Sequence, residues 1–276
     1  MTRAVLTLVL LLLASCSGGN DASSPLPHSA NQATSGRLQN QAAQPDKPVV
    51  PEPEPLPQPE PSKPPQTLEQ QRKSNYVSFV GGVRAWPSER RVEVDCFLLS
   101  EQTRPLEFLL VAAGGAVHES LLVTGAKGEH IKRALELILL KEGEEKRYGR
   151  GYLDAPMGDR VKLSVRFKHA VTGKETTVAI EDWLTDITLQ GSPERVGFIF
   201  TGSYEQFRPE MNRSLFEADL KGNLIGLWRD ASCVLDNDRK NGINPDVYSP
   251  NPNADGIPRA DRVQSPAVTL ILEPWK

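Results

Sequence analysis

Aromatic side chains and prolines divide this chain at residue 75. All 17 aromatics (4 Trp, 5 Tyr, 8 Phe) lie beyond Asn75, whereas 12 of the 23 prolines fall within residues 17–75. A stretch with no aromatic ring and few large aliphatics cannot bury enough surface to offset its conformational entropy. Within it, residues 51–61 (PEPEPLPQPEP) alternate proline with other residues. That pattern favours extended polyproline II, which rises about 3.1 Å per residue. Residues 16–75 are therefore expected to be a disordered Pro-rich tether, with a plain spacer the simpler reading and a ligand for an aromatic groove the alternative. Residues 76–276 are long enough to enclose a sizeable core and are expected to form one globular domain.

The chain opens MTRAVLTLVLLLLASC: one cation, Arg3, precedes an apolar run from Ala4 to Ala14. Such a run is a signal-peptide core, too short to cross a bilayer stably. Its end, Leu13-Ala14-Ser15-Cys16, resembles the bacterial lipobox. The resemblance implies that residues 1–15 are a lipoprotein signal peptide, that the chain is cut before Cys16, and that the Cys16 sulfur carries diacylglycerol. Several acyl chains, at about 0.8 kcal/mol per buried CH₂, make a stable anchor where one is marginal. An ordinary secretory leader with a chance cysteine is the alternative. Ser17, where an Asp favours inner-membrane retention in enterobacterial lipoproteins, points towards the outer membrane.

With 32 Lys+Arg against 35 Asp+Glu, the chain lacks the basic footprint of a nucleic-acid binder. Three cysteines are too few for a disulfide scaffold or a four-thiolate metal or iron–sulfur site, and no cofactor is expected.

Beyond residue 76 the patterning is strand-like. Val92, Val94, Cys96 and Leu98 alternate with Glu93, Asp95, Phe97 and Leu99, a period of two. Residues 105–111 form a second apolar run and residues 117–123 a third, separated by Gly114-Gly115, which reads as a hairpin turn. Ile131, Ala134, Leu135, Ile138 and Leu139 make one helical apolar stripe, with Gly143 as its stop. Residues 161–168 and 176–180 read as a hairpin about Thr172-Gly173, residues 196–201 as a central strand, and residues 215–228 as a hairpin about Lys221-Gly222-Asn223. Residues 236–265, polar and Pro-rich, read as a long loop before a last strand at Val268, Leu270 and Leu272. The expected class is α+β: a mainly antiparallel β-sheet, mostly hairpin-linked, with one packed amphipathic helix.

Residues 79–274 resemble the YdjY-type domain of bacterial secreted proteins and lipoproteins. The resemblance is carried by Leu106-Glu107-Phe108-Leu109, Gly114-Gly115-Ala116-Val117-His118-Glu119-Ser120-Leu121, His130-Ile131-Lys132-Arg133-Ala134-Leu135, Glu181-Asp182-Trp183-Leu184 and Phe198-Ile199-Phe200-Thr201-Gly202-Ser203. It implies an envelope-facing domain and brings no activity with it. Some members carry a ferredoxin-like label, from which this chain departs, having only Cys96 and Cys233 beyond Cys16.

The candidates for chemistry are His118, Glu119 and Asp182. Imidazole beside carboxylate suits acid–base work or metal ligation. On a strand, however, His118 and Glu119 would point to opposite faces; Glu119 then reads as a half-buried carboxylate, with Glu107 on the preceding strand as a partner. A metal site would have to recruit Glu129, His130, Glu181 or Asp182, and none is expected. Asp182 also reads as a turn or cap residue. Gly202-Ser203 lacks the second glycine of a nucleophile elbow and reads as a strand-ending turn. Asp236-Asn237-Asp238 approaches a calcium-loop pattern that fails at Lys240. An oxidising compartment would allow a Cys96–Cys233 disulfide, and two separate buried thiols fit equally well. The leading expectation is a non-catalytic binding domain on a lipid-anchored lipoprotein of the periplasmic side, with the bilayer and a protein or cell-envelope ligand as its partners. The rival is a metal-dependent or hydrolytic enzyme built on the His118/Glu119 region.

Overall fold

The structure is a computed structural model that describes residues 75–99, 105–145, 147–258 and 265–276. Contacts divide the chain into Met1–Ser62 and Lys63–Lys276, and every described residue belongs to the second unit. The leader, Cys16 and the tether through Ser74 lie outside the described residues.

Strands dominate. In chain order they are β1 (Val77–Phe79), β2 (Val83–Trp86), β3 (Arg91–Leu98), β4 (Phe108–Ala112), β5 (Ser120–Thr124), β6 (Arg160–Lys168), β7 (Glu175–Ala179), β8 (Leu184–Asp186), β9 (Phe198–Phe200), β10 (Glu205–Arg208), β11 (Arg213–Phe216), β12 (Asn223–Gly226), β13 (Leu235–Asn237), β14 (Tyr248–Pro250) and β15 (Ala267–Pro274). The described helices are α1 (Gly128–Leu137) and the five-residue α2 (Glu217–Lys221). The α+β expectation thus resolves into a mostly β fold with a second, short helix.

Eight strands close into a barrel in the order β3-β15-β6-β9-β13-β12-β4-β5, with β5 returning to β3. Two long strands make the closure possible by sharing one edge between two partners. On β3, residues 91–94 pair with β2 and residues 96–98 with β5. On β6, residues 160–161 pair with β9 and residues 164–168 with β7. Between them β15 is paired antiparallel on both sides. An eight-strand barrel is just wide enough for side chains to fill it, and one contiguous core joins Val92, Val94, Val161, Leu163, Val165, Phe198, Phe200, Leu235, Leu270 and Leu272. The period-two reading of β3 holds for its apolar face, where Val92, Val94, Cys96 and Leu98 are buried; on the other face Asp95 and Phe97 are exposed, but Glu93 is buried against Arg166. Helix α1 buries Ile131, Ala134 and Leu135 against β2, β3 and α2.

Four expectations are corrected. Residues 108–124 are not a hairpin, because β4 and β5 pair in parallel. The chain doubles back through residues 113–119, including a 3-10 turn at Val117–Glu119, before β5 begins. Residues 215–228 are likewise no hairpin: α2 intervenes and Gly222, at φ 70°, caps it. Hairpin turns and helix C-caps both need a left-handed residue, so a single Gly does not separate them. Helix α1 stops before Gly143, turning at Leu139 with φ 62°; Gly143 instead packs so closely on Met157 that a Cβ would lie 2.1 Å from its carbonyl oxygen. Finally, the supposed loop at residues 236–265 contains β13, a 3-10 turn and β14, which pairs with β8. Its first polar residues are buried rather than wet: Asp236 and Asn237 have no exposed surface, while Lys240, Asn244, Asp246, Asn253 and Asp255 are exposed.

Candidate functional site

Two features stand out on this frame: a carboxylate cluster at one end of the barrel and an open groove beside α1.

The cluster begins at Glu107, whose backbone is fixed on both sides. Its N–H donates to Glu119 O at 2.9 Å, and its carbonyl accepts from the N–H groups of Leu227 and Trp228 at 2.8 and 2.9 Å. The Glu107 carboxyl hydrogen-bonds that of Glu119, as the sequence suggested. Burial and the neighbouring Glu119 charge push it above the ordinary carboxyl range, and Arg150 opposes the rise. The Arg150 guanidinium bridges two elements, donating from Nη1 to Glu107 Oε2 at 3.2 Å and from Nε to Asp230 Oδ2 at 3.0 Å. It also lies over the Phe108 and Trp228 rings. Because Val117–Glu119 is a 3-10 turn rather than a strand, His118 Nε2 comes within 3.3 Å of Glu119 Oε1, a pairing the strand reading had excluded.

Behind this rim the carboxylates are sealed. Asp230 has no exposed surface; its Oδ1 accepts from the Ser232 N–H and hydroxyl, at 2.9 and 2.7 Å, and its Oδ2 from Asn223 Nδ2 at 3.3 Å. Asp236 accepts the Tyr152 hydroxyl at 2.6 Å and the Asn237 N–H at 2.9 Å. Burial pushes the Asp236 carboxyl up to about 8, against the Tyr152 bond, and pushes Tyr152 up as well. The buried Asn223 Oδ1 finds no protein partner. Hidden carboxylates paired in this way present no reacting group to a substrate.

The other candidates are dispersed. Asp182 sits in the 3-10 turn Ile180–Trp183 and binds Arg195. Glu181 is buried against Arg239 at 2.7 Å, and His130 Nδ1 contacts Val80 O at 2.9 Å. Among the described residues no group of three or more His, Cys, Asp or Glu could hold a metal ion. In the calcium-like pattern, Asp236 and Asn237 lie in β13 and Asp238 pairs with Arg160. Cys96 and Cys233 are separate free thiols, each buried and each pushed up by desolvation. Cys96 belongs to the main core, whereas Cys233 packs with Phe108 and Val111 in a second cluster. Gly202-Ser203 is a turn in which both residues have positive φ, with Ser203 Oγ donating to Ser232 O at 2.7 Å.

The groove has a volume of about 1420 Å³. One wall is the polar side of α1, with Lys132, Arg133 and Glu136; the other is the β10–β11 hairpin and α2, with Arg213, Phe216 and Leu220; Val77 and Phe79 of β1 close one end and Gly202-Ser203 form part of its lining. Apolar tips stand exposed along it: Val77, Leu137, Met211 and Leu220 are between 40% and 52% accessible. Its charges are mixed, and those on α1 are paired, Arg133 with Glu129 and Lys132 with Glu136 and Glu142. His118, Glu119 and Asp182 do not line it. Sequence patterning gave no sign of it, since its walls come from elements far apart in the chain.

No family model matches the chain, and neither a curated protein nor a solved structure matches it.

Proposed function

We propose that this protein is a lipid-anchored, extracytoplasmic lipoprotein whose barrel is a non-catalytic binding domain, with the groove beside α1 as its binding surface. The observation that carries the binding reading is the groove, a large concave opening with exposed apolar tips and a charged rim. The carboxylates at the barrel end, by contrast, are engaged with one another and with Arg150. The anchoring reading rests on the lipobox-like Leu13-Ala14-Ser15-Cys16 and the Pro-rich stretch that follows it. The resemblance to YdjY-type domains accords with an envelope-facing role. Placing a photo-crosslinking amino acid at Met211 in the groove, and at Phe97 on the outer face of β3, tests the binding reading in intact cells. A discrete adduct from position 211, absent from position 97, is expected. Identical patterns from both positions contradict it.

The rival reading, hydrolytic or metal-dependent chemistry at His118 and Glu119, draws on their 3.3 Å contact. It requires bound metal in the purified protein or hydrolysis lost in His118→Ala.

A further inference from the structure

Strands β10 and β11 pair with each other and with no other described strand. A two-stranded ribbon by itself is marginal in water. This one is fastened at its base through Glu217, a buried carboxylate of α2 that binds Arg208 of β10 and, at 3.7 Å, Lys221. Beyond that base it is poorly covered, with residues 205–207 and 209–214 all exposed.

The groove lining shows which way the ribbon faces. Arg213, Ser214, Leu215 and Phe216, the whole of β11, line the groove, whereas β10 contributes Glu205 alone. A ribbon that turned one face to the groove would contribute alternate residues from both strands. Four consecutive residues from one strand mean that the edge of β11 looks into the groove.

The hydrogen-bond phase shows what that edge offers. Antiparallel neighbours alternate between pairs that exchange both backbone bonds and pairs that exchange neither. Glu217 N–H donates to Tyr204 O at 3.0 Å, one step beyond the pairing of Glu205 with Phe216. The bonded pairs of the ribbon are therefore Gln206–Leu215 and Arg208–Arg213, and the unbonded ones Glu205–Phe216 and Phe207–Ser214. Ser214 thus turns its N–H and carbonyl away from β10, and Phe216 its N–H, towards the groove. No backbone hydrogen bond from elsewhere among the described residues reaches these groups.

Backbone donors and acceptors left free along an extended strand are matched best by another extended backbone. Size and charge agree. The groove, at about 1420 Å³, exceeds the roughly 300–1,000 Å³ of small-ligand pockets. Its lining sets four Lys and Arg against four Asp and Glu, a balance that suits an uncharged segment and selects neither a polyanion nor a polycation. A second copy is the poorer fit, because its own β11 edge lies across the groove from its own α1.

We propose that the groove takes an extended, uncharged segment of a partner protein as a strand added to β11, bonded to the free backbone groups of Ser214 and Phe216. Alternate apolar side chains of that segment pack on Val77, Phe79, Leu137 and Leu220, and the ribbon gains the third strand it lacks. The proposal rests on the groove being the binding surface.

Proline at an edge position whose N–H points outward removes a donor and leaves the ladder intact. Ser214→Pro does this on the groove edge, and Phe207→Pro on the opposite edge of the same ribbon, outside the groove lining. The probe is a displayed library of random linear peptides selected on the purified full-length chain, with a photo-crosslinking amino acid at Met211 to report occupancy of the groove. Selected peptides should crosslink at position 211 and bind Phe207→Pro like the wild type. They should bind Ser214→Pro at least about tenfold more weakly, because a peptide carbonyl is left unpaired. Peptides that crosslink at position 211 yet bind Ser214→Pro as tightly as the wild type overturn the added strand and leave the groove reading standing, as does a selection that yields no binder. Peptides that bind without crosslinking there overturn both. An adduct joining two copies through position 211 replaces the peptide with a second copy and overturns the proposal. Should Ser214→Pro fail to fold, hydrogen exchange of the wild type decides: the Ser214 and Phe216 amides should gain at least about tenfold protection at saturating peptide, and unchanged exchange at both refutes the pairing.

Discussion

Glu107 shows how one residue joins chain geometry to charge. Its backbone bonds to Glu119, Leu227 and Trp228 hold it beside Glu119, and burial together with the Glu119 charge raises its carboxyl pKa. The folded state therefore binds the Glu107 proton more tightly than the unfolded chain, which releases it near the ordinary value of 4.5. Stability contributed this way is present below that value and is lost as pH rises through the raised folded value. Urea unfolding across this window should give a shallower decline for Glu107→Gln than for the wild type. A slope unchanged by the substitution would show that Glu107 is ionised throughout. The Glu107–Glu119 partnership was legible in the sequence because the two residues lie in neighbouring apolar runs, although those runs pair in parallel and not as the expected hairpin. The depth of Asp230 and Asp236 was not: Asp236 opens a polar, Pro-rich stretch that reads as wet loop, and Asp230 lies in no patterned segment. Only their hydrogen bonds make burial tolerable, Asp236 with Tyr152 from far along the chain and Asp230 with the nearer Asn223 and Ser232.

At the scale of elements, period separated what could be read from what could not. β3, β15, the β6–β7 hairpin and α1 announce themselves through spacings of two or of three and four, since each sets a polar face against an apolar one. Partner choice is a different matter. Nothing in residues 108–124 distinguishes a hairpin from the parallel β4–β5 pair, and the β3–β5 pairing that closes the barrel depends on β3 being long enough to serve two neighbours. Within α1, Leu135 is fully buried in the main core. Leu135→Ala should cost about 2–5 kcal/mol by chemical denaturation. A loss under about 1 kcal/mol would mean that α1 does not pack as described.

For the whole molecule, the proposed function assigns anchoring to Cys16, spacing to the Pro-rich stretch and binding to the barrel. Among the described residues, the buried main core begins at Val83, and the composition of residues 17–75, with no aromatic ring, gives that stretch little to pack with. Deleting residues 20–70 should consequently leave the melting temperature within about 2 °C, since a change of 1 kcal/mol shifts a domain of this size by roughly that much or more; a larger fall would give the tether a packing role. The central claim is that the barrel reaches its partner from a lipid-anchored cysteine. Mass analysis of the N-terminal peptide of the protein from its native envelope tests this most directly. The account predicts a chain that begins at Cys16 with diacylglycerol on its sulfur; a retained leader, or a first residue other than Cys16, would contradict it.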